Sequence, residues 1–209
     1  MVAYETRLSE DPRWALSEGS RHFEERSAVQ ESLRRITSRL DQLSIPYAVS
    51  GAMALFQHGL RRFTEDIDIL VTRDGLESIH RSLVGLGYLP TVQGGKNLRD
   101  TTTGVRIDFI VTGAFPGDGK PKPVSFPAPP DVSFEQDGIR YLKLPALIEL
   151  KLASGMTSPA RMRDLSDVLE LIRILKLPAG FADQLNPYVR AKFLELHGIA
   201  ASESGEEPV

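Results

Sequence analysis

Cysteine is absent from this 209-residue chain, and tryptophan occurs once. Without cysteine the protein can form no disulfide, no thiolate metal site and no cysteine nucleophile. No apolar run approaches the roughly 18 residues that a membrane-spanning helix needs, and no positively charged, apolar leader opens the chain. The formal net charge is only -3, so the molecule as a whole does not attract nucleic acid or anionic membranes. We therefore expect a soluble cytoplasmic protein, in which any contact with RNA is made by a local basic patch.

Hydrophobic periodicity and breaks at proline and glycine divide the chain into four segments. These are an N-terminal arm at 1–26, an α/β lobe at 27–144, an α-helical lobe at 145–200 and a disordered tail at 201–209. In the first lobe helices and strands alternate, and after residue 144 only helical patterns follow. This order predicts a sheet lobe followed by a helical lobe.

Residues 112–138 are rich in proline and glycine and are predicted to form a long loop. Loops of this length inside a compact domain are uncommon and often functional. We expect Lys120 and Lys122 to stand out from the sheet edge and to contact an acceptor substrate. The alternative is a surface insertion or a short edge hairpin.

The apolar run at 47–49 stops at Ser50 and Gly51 and is followed by a helical pattern at 52–56. A strand that turns through glycine into a helix presents free backbone N–H groups, which can bind phosphate. The alternative is a plain strand-to-helix turn in which Ser50 caps the helix.

Acidic and aliphatic residues alternate from Asp66 to Ile69, fifteen positions past Gly51. In a strand this pattern places Asp66 and Asp68 on one face. Two neighbouring carboxylates repel each other unless a cation lies between them, and hard oxygen ligands suit Mg²⁺. The alternative is the solvated face of an edge strand. Together, a phosphate cradle and a divalent-metal clamp indicate phosphoryl or nucleotidyl transfer.

A third acid, Asp108, lies between Ile107 and Phe109 in a strand predicted at 105–111. Aspartate is unfavourable in strands, so its presence asks for a reason. In a two-metal site, Asp66 and Asp68 would bridge both ions, and Asp108 would hold the ion that activates the acceptor hydroxyl. The alternative is an ordinary outward-facing acid. Arg106 shares its face and could neutralise or orient it.

This pattern resembles the polymerase-beta-like nucleotidyltransferase superfamily, and it is most similar to minimal bacterial members that include the AbiEii-type toxins. The resemblance runs from about residue 43 to about residue 174, and it rests on Val49-Ser50-Gly51-Ala52, Leu60-Arg61-Arg62, Thr64 and Asp66-Ile67-Asp68. Ser50-Gly51 stands where the family usually has Gly-Gly or Gly-Ser. The resemblance implies a short mixed β-sheet flanked by helices, with the carboxylates on one face, and a helical C-terminal lobe that closes the cleft.

Further nucleotide-binding residues are implied by the resemblance. Arg61, Arg62 and Thr64 precede the metal strand, where the family usually has an arginine and a serine or threonine. One of the two arginines is interpreted as a contact to the triphosphate or as an anchor of the strand. Lys151 lies in a helix that matches one whose lysine contacts the nucleotide. Solvated arginines and a snorkelling surface lysine are the alternatives.

A D-x-x-D motif follows in the next helix, where Asp164 and Asp167 lie three positions apart on one face. These acids would belong to the nucleotide site and orient Lys151 or Arg163, or else form surface ion pairs.

The resulting expectation is a nucleotidyltransferase, dependent on Mg²⁺ or Mn²⁺, that moves an NMP from an NTP to a hydroxyl or phosphate acceptor. The acceptor is left open among tRNA or another RNA end, a protein and a small molecule. The toxin-like relatives imply a cognate antitoxin protein as a further partner. No membrane partner is expected, because the chain has no apolar run long enough to span one and no excess of positive charge. The alternative is a catalytically inactive nucleotide-binding or interaction protein on the same fold.

Overall fold

The computed structural model describes residues 2–203. Seven strands form one mixed sheet in the order β3-β4-β5-β2-β1-β7-β6. Strands β2 and β5 pair in parallel, as do β1 and β7, and the other neighbours are antiparallel. The strands are β1 Tyr47–Val49, β2 Asp66–Val71, β3 Tyr88–Pro90, β4 Leu98–Asp100, β5 Arg106–Val111, β6 Ser133–Gln136 and β7 Ile139–Leu142.

Helices flank the sheet and make up the C-terminal lobe. They are α1 Tyr4–Glu10, α2 Pro12–Phe23, α3 Ala28–Gln42, α4 Gly51–Gln57, α5 Arg73–Leu83, α6 Pro129–Val132, α7 Leu144–Thr157, α8 Met162–Leu175 and α9 Pro187–Glu203, with 3₁₀ turns at Pro159–Arg161 and Ala179–Gln184. Helices α7, α8 and α9 pack on one another. No helix among residues 2–203 combines the length and the apolar content needed to cross a membrane.

The central strands separate a buried apolar face from an acidic one. In β2, Ile67 and Ile69 are fully buried and belong to the same core as Leu33 and Ile36 of α3. Because side chains alternate along a strand, this burial directs the intervening aspartates to the opposite face. The hydrophobic pattern of β2 therefore fixes which face carries the acids.

The N-terminal segment is not a loose arm, and that prediction is wrong. The Tyr4 hydroxyl of α1 donates to Glu18 Oε2 of α2 at 3.1 Å. Both helices dock on the α/β lobe, where the Tyr4 backbone N–H donates to the carbonyl of Gly104 and Glu18 Oε2 accepts from the Ala28 N–H. Glu18 and His22 are buried. Hydrophobic periodicity missed these helices because polar side chains with specific partners make much of the contact.

Three boundaries differ from expectation. The end of the predicted loop forms α6 and β6, which pairs with β7. Strand β4 is not predicted, because its charged residues obscure the alternation of polar and apolar side chains that is typical of a strand. Helix α9 continues through Gly198, where a side chain would meet nothing within 4 Å, and ends at Glu203. The rest of the predicted disordered tail, 204–209, lies outside the described residues.

Candidate active site

The three predicted acids lie on one face of two neighbouring strands. In the parallel pairing of β2 with β5, Asp68 stands opposite Asp108 and Asp66 stands opposite Arg106. Register alone therefore brings together carboxylates that are forty positions apart in sequence. All three side chains line a cleft between the sheet and the helical lobe.

Arg106 lies among these acids as a cation. Its Nη2 donates to Asp66 Oδ2 at 2.7 Å, and its Nε lies 3.1 Å from Asp108 Oδ1. The second contact lacks hydrogen-bond geometry, so Nε and Oδ1 are both buried without a hydrogen-bond partner. Thr64 Oγ1 donates to Asp66 Oδ1 at 2.8 Å and fixes that carboxylate from the other side.

Burial, with a further contribution from neighbouring negative charge, raises the pKa of two of these carboxyl groups, Asp68 and Asp108. Burial, reinforced by the charges of Asp66 and Asp108, raises the pKa of Asp68 to about 7. Burial also raises the pKa of Asp108, although Arg106 opposes the shift. The site therefore favours occupation by positive charge.

The chemistry of this donor set fits a hard divalent cation, since it consists of carboxylate oxygens from adjacent strands. Within residues 2–203, however, no three metal-ligating side chains converge closely enough to hold an ion as they stand. The Arg106 guanidinium contacts both Asp66 and Asp108. An entering metal ion would therefore have to displace a cation that is already bound there.

Gly51 permits the approach of Asp68 to the turn between β1 and α4. It has a φ of +57°, and a Cβ atom built on it would lie 1.9 Å from Asp68 Oδ2. The Ser50 N–H donates to the carbonyl of Asp68 at 2.8 Å, and the Ser50 side chain makes no capping hydrogen bond. The turn is thus fitted to the acidic strand, and the simple capping role proposed as an alternative for Ser50 is not observed.

Lys151 lies at the centre of a buried ion network in the helical lobe. Its Nζ contacts Asp164 Oδ1 at 2.9 Å and Asp167 Oδ2 at 2.7 Å, and all three side chains are buried. Burial alone would raise the pKa of Asp164, but Lys151 and the neighbouring hydrogen bonds outweigh it and hold that pKa below its usual range. The predicted D-x-x-D pair therefore does orient Lys151.

Two arginines extend this network. Arg62 Nε lies 3.3 Å from Asp167 Oδ1, and Arg161 Nε lies 2.8 Å from Asp164 Oδ2. Arg161 Nε also donates to Ser154 Oγ at 3.2 Å. The network joins the segment before β2 to the helical lobe. Sequence gave no signal for the pairing of Arg62 with Asp167, because 105 positions separate them.

Two predicted site residues, Arg61 and Asp167, line neither wall of the cleft. Asp167 is buried behind it as a partner of Lys151, whereas Arg61 lies away from the network. It is exposed, and its guanidinium carbon lies 5.1 Å from the centroid of the Phe56 ring. His58 has a structural partner, because its Nε2 lies 2.8 Å from the carbonyl oxygen of Leu142.

Of the two loop lysines, Lys122 is not arranged as predicted. Lys122 Nζ donates to the carbonyl of Pro116 at 2.6 Å and contacts Asp118 Oδ1 at 2.5 Å, and its side chain is 5% exposed. Lys122 therefore ties the loop to itself instead of reaching for a substrate. Lys120 is exposed.

Two cavities meet at the acids. They share Gly51, Asp68, Asp108, Lys151, Arg161 and Asp164. The larger, of about 610 Å³, is further lined by Arg62, Thr64, Arg106 and Arg163 and is strongly charged. The smaller has a volume of about 370 Å³ and extends from Asp108 toward α7.

Comparison with solved structures identifies similar folds. The crystal structure of ANT(2'')-Ia in complex with adenylyl-2''-tobramycin has a TM-score of 0.51 and 14% identity, over 83% of this chain and 97% of that chain. A solution structure of the same antibiotic-resistance factor has a TM-score of 0.49 and 16% identity, over 83% of this chain and 95% of that chain. An antigenic nucleotidyltransferase-like protein from Paracoccidioides brasiliensis has a TM-score of 0.44 and 17% identity, over 69% of this chain and 75% of that chain.

At these identities the likeness concerns the fold, for which the ANT(2'')-Ia crystal structure is the supporting comparison. It confirms the predicted α/β (α+β) class, with a mixed sheet flanked by helices and a helical C-terminal region. No protein-family model and no curated protein sequence matches the chain.

Replacing Lys151 by methionine should strongly destabilise the protein, by about 3–5 kcal/mol, because two buried carboxylates would lose their shared cation. Urea unfolding measures this loss. Lys192→Met is the matched control, since Lys192 pairs with Glu195 on the surface of α9 and should contribute about 0–1 kcal/mol. Equal midpoints for the two variants would show that the Lys151 network does not stabilise the fold.

Proposed function

We propose that the protein is a nucleotidyltransferase, dependent on Mg²⁺ or Mn²⁺, that transfers an NMP from an NTP to a hydroxyl or phosphate acceptor. The observation that carries this proposal is the in-register placement of Asp68 opposite Asp108, with Asp66 beside them and Gly51 fitted against Asp68. Three carboxylates on one face of the sheet, one of them held against a glycine turn, suit the binding of metal and phosphate better than any purely structural role.

In this proposal Asp66, Asp68 and Asp108 would hold the metal, which supplies charge neutralisation at the α-phosphate. An acceptor oxygen attacks the α-phosphorus, the bond to the β-phosphate oxygen breaks, and pyrophosphate leaves. Asp108, which is expected on the acceptor side of the metal, would accept the proton of the acceptor hydroxyl. The chain contributes mainly by positioning the reactants and stabilising charge.

The charged cavity is assigned to the triphosphate. Its walls carry Arg62, Arg161, Arg163 and Lys151, together with the Thr64 hydroxyl. Arginines and lysines of this kind bind phosphate oxygens through charge-assisted hydrogen bonds. Arg161 and Arg163 are exposed, so both can turn toward an incoming nucleotide.

The finer parts of the prediction rest on the motif resemblance. They comprise membership of the AbiEii-type group, a toxin role, an antitoxin partner and an RNA or protein acceptor. The ANT(2'')-Ia neighbour holds adenylyl-2''-tobramycin, which supports nucleotidyl transfer to a small molecule as one form of the same chemistry.

A catalytically inactive nucleotide-binding protein is the second candidate, and the position of Arg106 between Asp66 and Asp108 favours it. If Arg106 permanently replaces the metal, NTP binding should not depend on divalent ions. Thermal stability with NTP should therefore be compared with and without EDTA. The proposed function predicts that EDTA removes most of the NTP-induced stabilisation, and an unchanged shift would favour the inactive protein.

Removing the positively charged side chain of Arg106 should strengthen metal binding. Arg106→Met frees two carboxylates and removes a positive charge that repels the ion, so we expect Mn²⁺ to bind about tenfold more tightly, equivalent to ~1.4 kcal/mol. Titration of Mn²⁺ by electron paramagnetic resonance measures this without catalysis. Arg61→Met removes the same charge away from the cleft and should have little effect. Weaker Mn²⁺ binding to Arg106→Met would mean that Arg106 supports the metal site.

A further inference from the structure

The smaller cavity differs chemically from the charged cavity, which is assigned to the triphosphate. Ile110 lies two residues beyond Asp108, on the same face of β5, and continues the wall with an apolar side chain. Phe115 and Phe126 line it from the loop, and Leu147 and Leu150 line it from α7. Binding pockets commonly combine such apolar walls with a few polar groups at one end.

No additional carboxylate lines this cavity among the described residues. Its acids are Asp68, Asp108 and Asp164, all shared with the charged cavity, and Asp164 already pairs with Lys151 and Arg161. The polar groups that the cavity does not share include Lys96, which is exposed and carries a positive charge, and Asn97, whose Oδ1 accepts from the Phe109 N–H at 3.2 Å. A polycationic ligand would find no carboxylate of its own here.

The loop wall is built before any ligand arrives. The N–H groups of Gly113 and Phe126 donate to the carbonyls of Phe126 and Ala114 at 2.8 and 2.9 Å. Gly117 sits so close to α7 that a Cβ atom would lie 2.2 Å from Thr157 Oγ1 and 2.7 Å from the carbonyl oxygen of Ser154. These contacts hold the aromatic side of the cavity in place, so that little ordering is left for the ligand to induce.

We propose that this cavity binds a nucleobase beside the reacting phosphate, and that it rejects polycationic sugars such as the tobramycin moiety held by the structural neighbour. The proposal rests on the proposed function. A flat, uncharged ring matches walls of Phe115, Phe126 and Ile110, because stacking on an aromatic ring requires no charged partner. The cavity volume of about 370 Å³ is large enough for a nucleoside. The base belongs either to the NTP or to a nucleotide acceptor such as an RNA end.

The test compares ligands that differ in whether they carry a base. Phe115 is half-buried and lies outside the hydrophobic core, so Phe115→Ala should fold normally. Equilibrium binding is measured in Mg²⁺ for an α,β-methylene NTP analogue, inorganic triphosphate and a short single-stranded RNA. Phe23→Ala, which removes an exposed ring of α2, is the matched control.

If the base is that of the NTP, Phe115→Ala should weaken binding of the NTP analogue about tenfold, which corresponds to the loss of roughly one base–aromatic stack. Binding of inorganic triphosphate should change less than twofold. If it belongs to the acceptor, the analogue should be unaffected and RNA binding to the NTP-loaded protein should weaken about tenfold. Phe126→Leu, which keeps an apolar side chain but removes the ring, should act in the same direction.

The inference is overturned if both folded variants bind every ligand as the wild type does, or if tobramycin competes with the NTP analogue or with RNA. Failure of the wild type to bind both the analogue and inorganic triphosphate would instead overturn the proposed function, and this inference with it. Retained binding of triphosphate separates the two failures.

Discussion

Asp68→Asn is expected to lower nucleotidyl transfer by at least about 1,000-fold while leaving the fold intact, since the loss of one metal ligand costs several kcal/mol of transition-state stabilisation. The amide keeps the shape of the carboxylate but carries no charge. Transfer is measured with α-labelled NTP, and folding by thermal melting. Glu65→Gln, an exposed neighbour at the mouth of the charged cavity, is the control. Full activity of Asp68→Asn would rule out a catalytic metal at this position.

The same variant should be more stable than the wild type in the absence of metal at neutral and higher pH. The pKa of Asp68 is raised to about 7 in the folded protein, above the unfolded value of about 3.9. Between these values the folded state binds more protons, so the contribution of Asp68 to stability falls as pH rises from about 4 to about 7. The gain in Asp68→Asn should therefore be largest above pH 7 and disappear near pH 4. Parallel stability curves for the two proteins would contradict the raised pKa.

Gly51→Ala is expected to remove most of the binding of metal and NTP. The new Cβ atom would lie 1.9 Å from Asp68 Oδ2, so that Asp68 must leave its position beside the turn. The positive φ adds a folding cost of about 1–2 kcal/mol. Isothermal titration with Mn²⁺ and with an NTP analogue would detect the loss.

Gly85→Ala separates these two effects. Gly85 also has a positive φ, +82°, but a Cβ atom there would meet nothing within 4 Å. The Gly85→Ala variant should therefore show the folding cost of the positive φ but bind metal and the NTP analogue as the wild type does. Wild-type affinity in a folded Gly51→Ala protein would assign the turn between β1 and α4 a purely structural role.

The acids of the candidate site could be predicted because their signal is local. Alternation of Asp66 and Asp68 with buried isoleucines defines the acidic face within one strand. An aspartate amid the apolar residues of β5 is equally conspicuous. Only the exact register, which sets Asp68 opposite Asp108, required the structure.

Contacts over long separations in sequence could not be predicted in this way. Arg62 and Arg61 are adjacent and chemically identical, and only folding decides that Arg62 pairs with Asp167 while Arg61 lies on Phe56. The N-terminal helices were not predicted for a related reason, because contacts made by polar residues such as Glu18 and His22 leave only a weak apolar periodicity. The loop at 112–126 is rich in proline and glycine but has no hydrophobic periodicity. Its packing against α7 therefore could not be predicted from the sequence.

Transfer of label from α-labelled NTP is the most direct test of nucleotidyl transfer at these acids. Each of the four NTPs is incubated with Mg²⁺, the protein and a cell lysate, which is then separated into RNA, protein and small molecules. We predict that one fraction acquires label with the wild type and with Glu65→Gln, and none with Asp68→Asn. Label that appears equally with Asp68→Asn, or NTP binding without label in any fraction, would contradict the account.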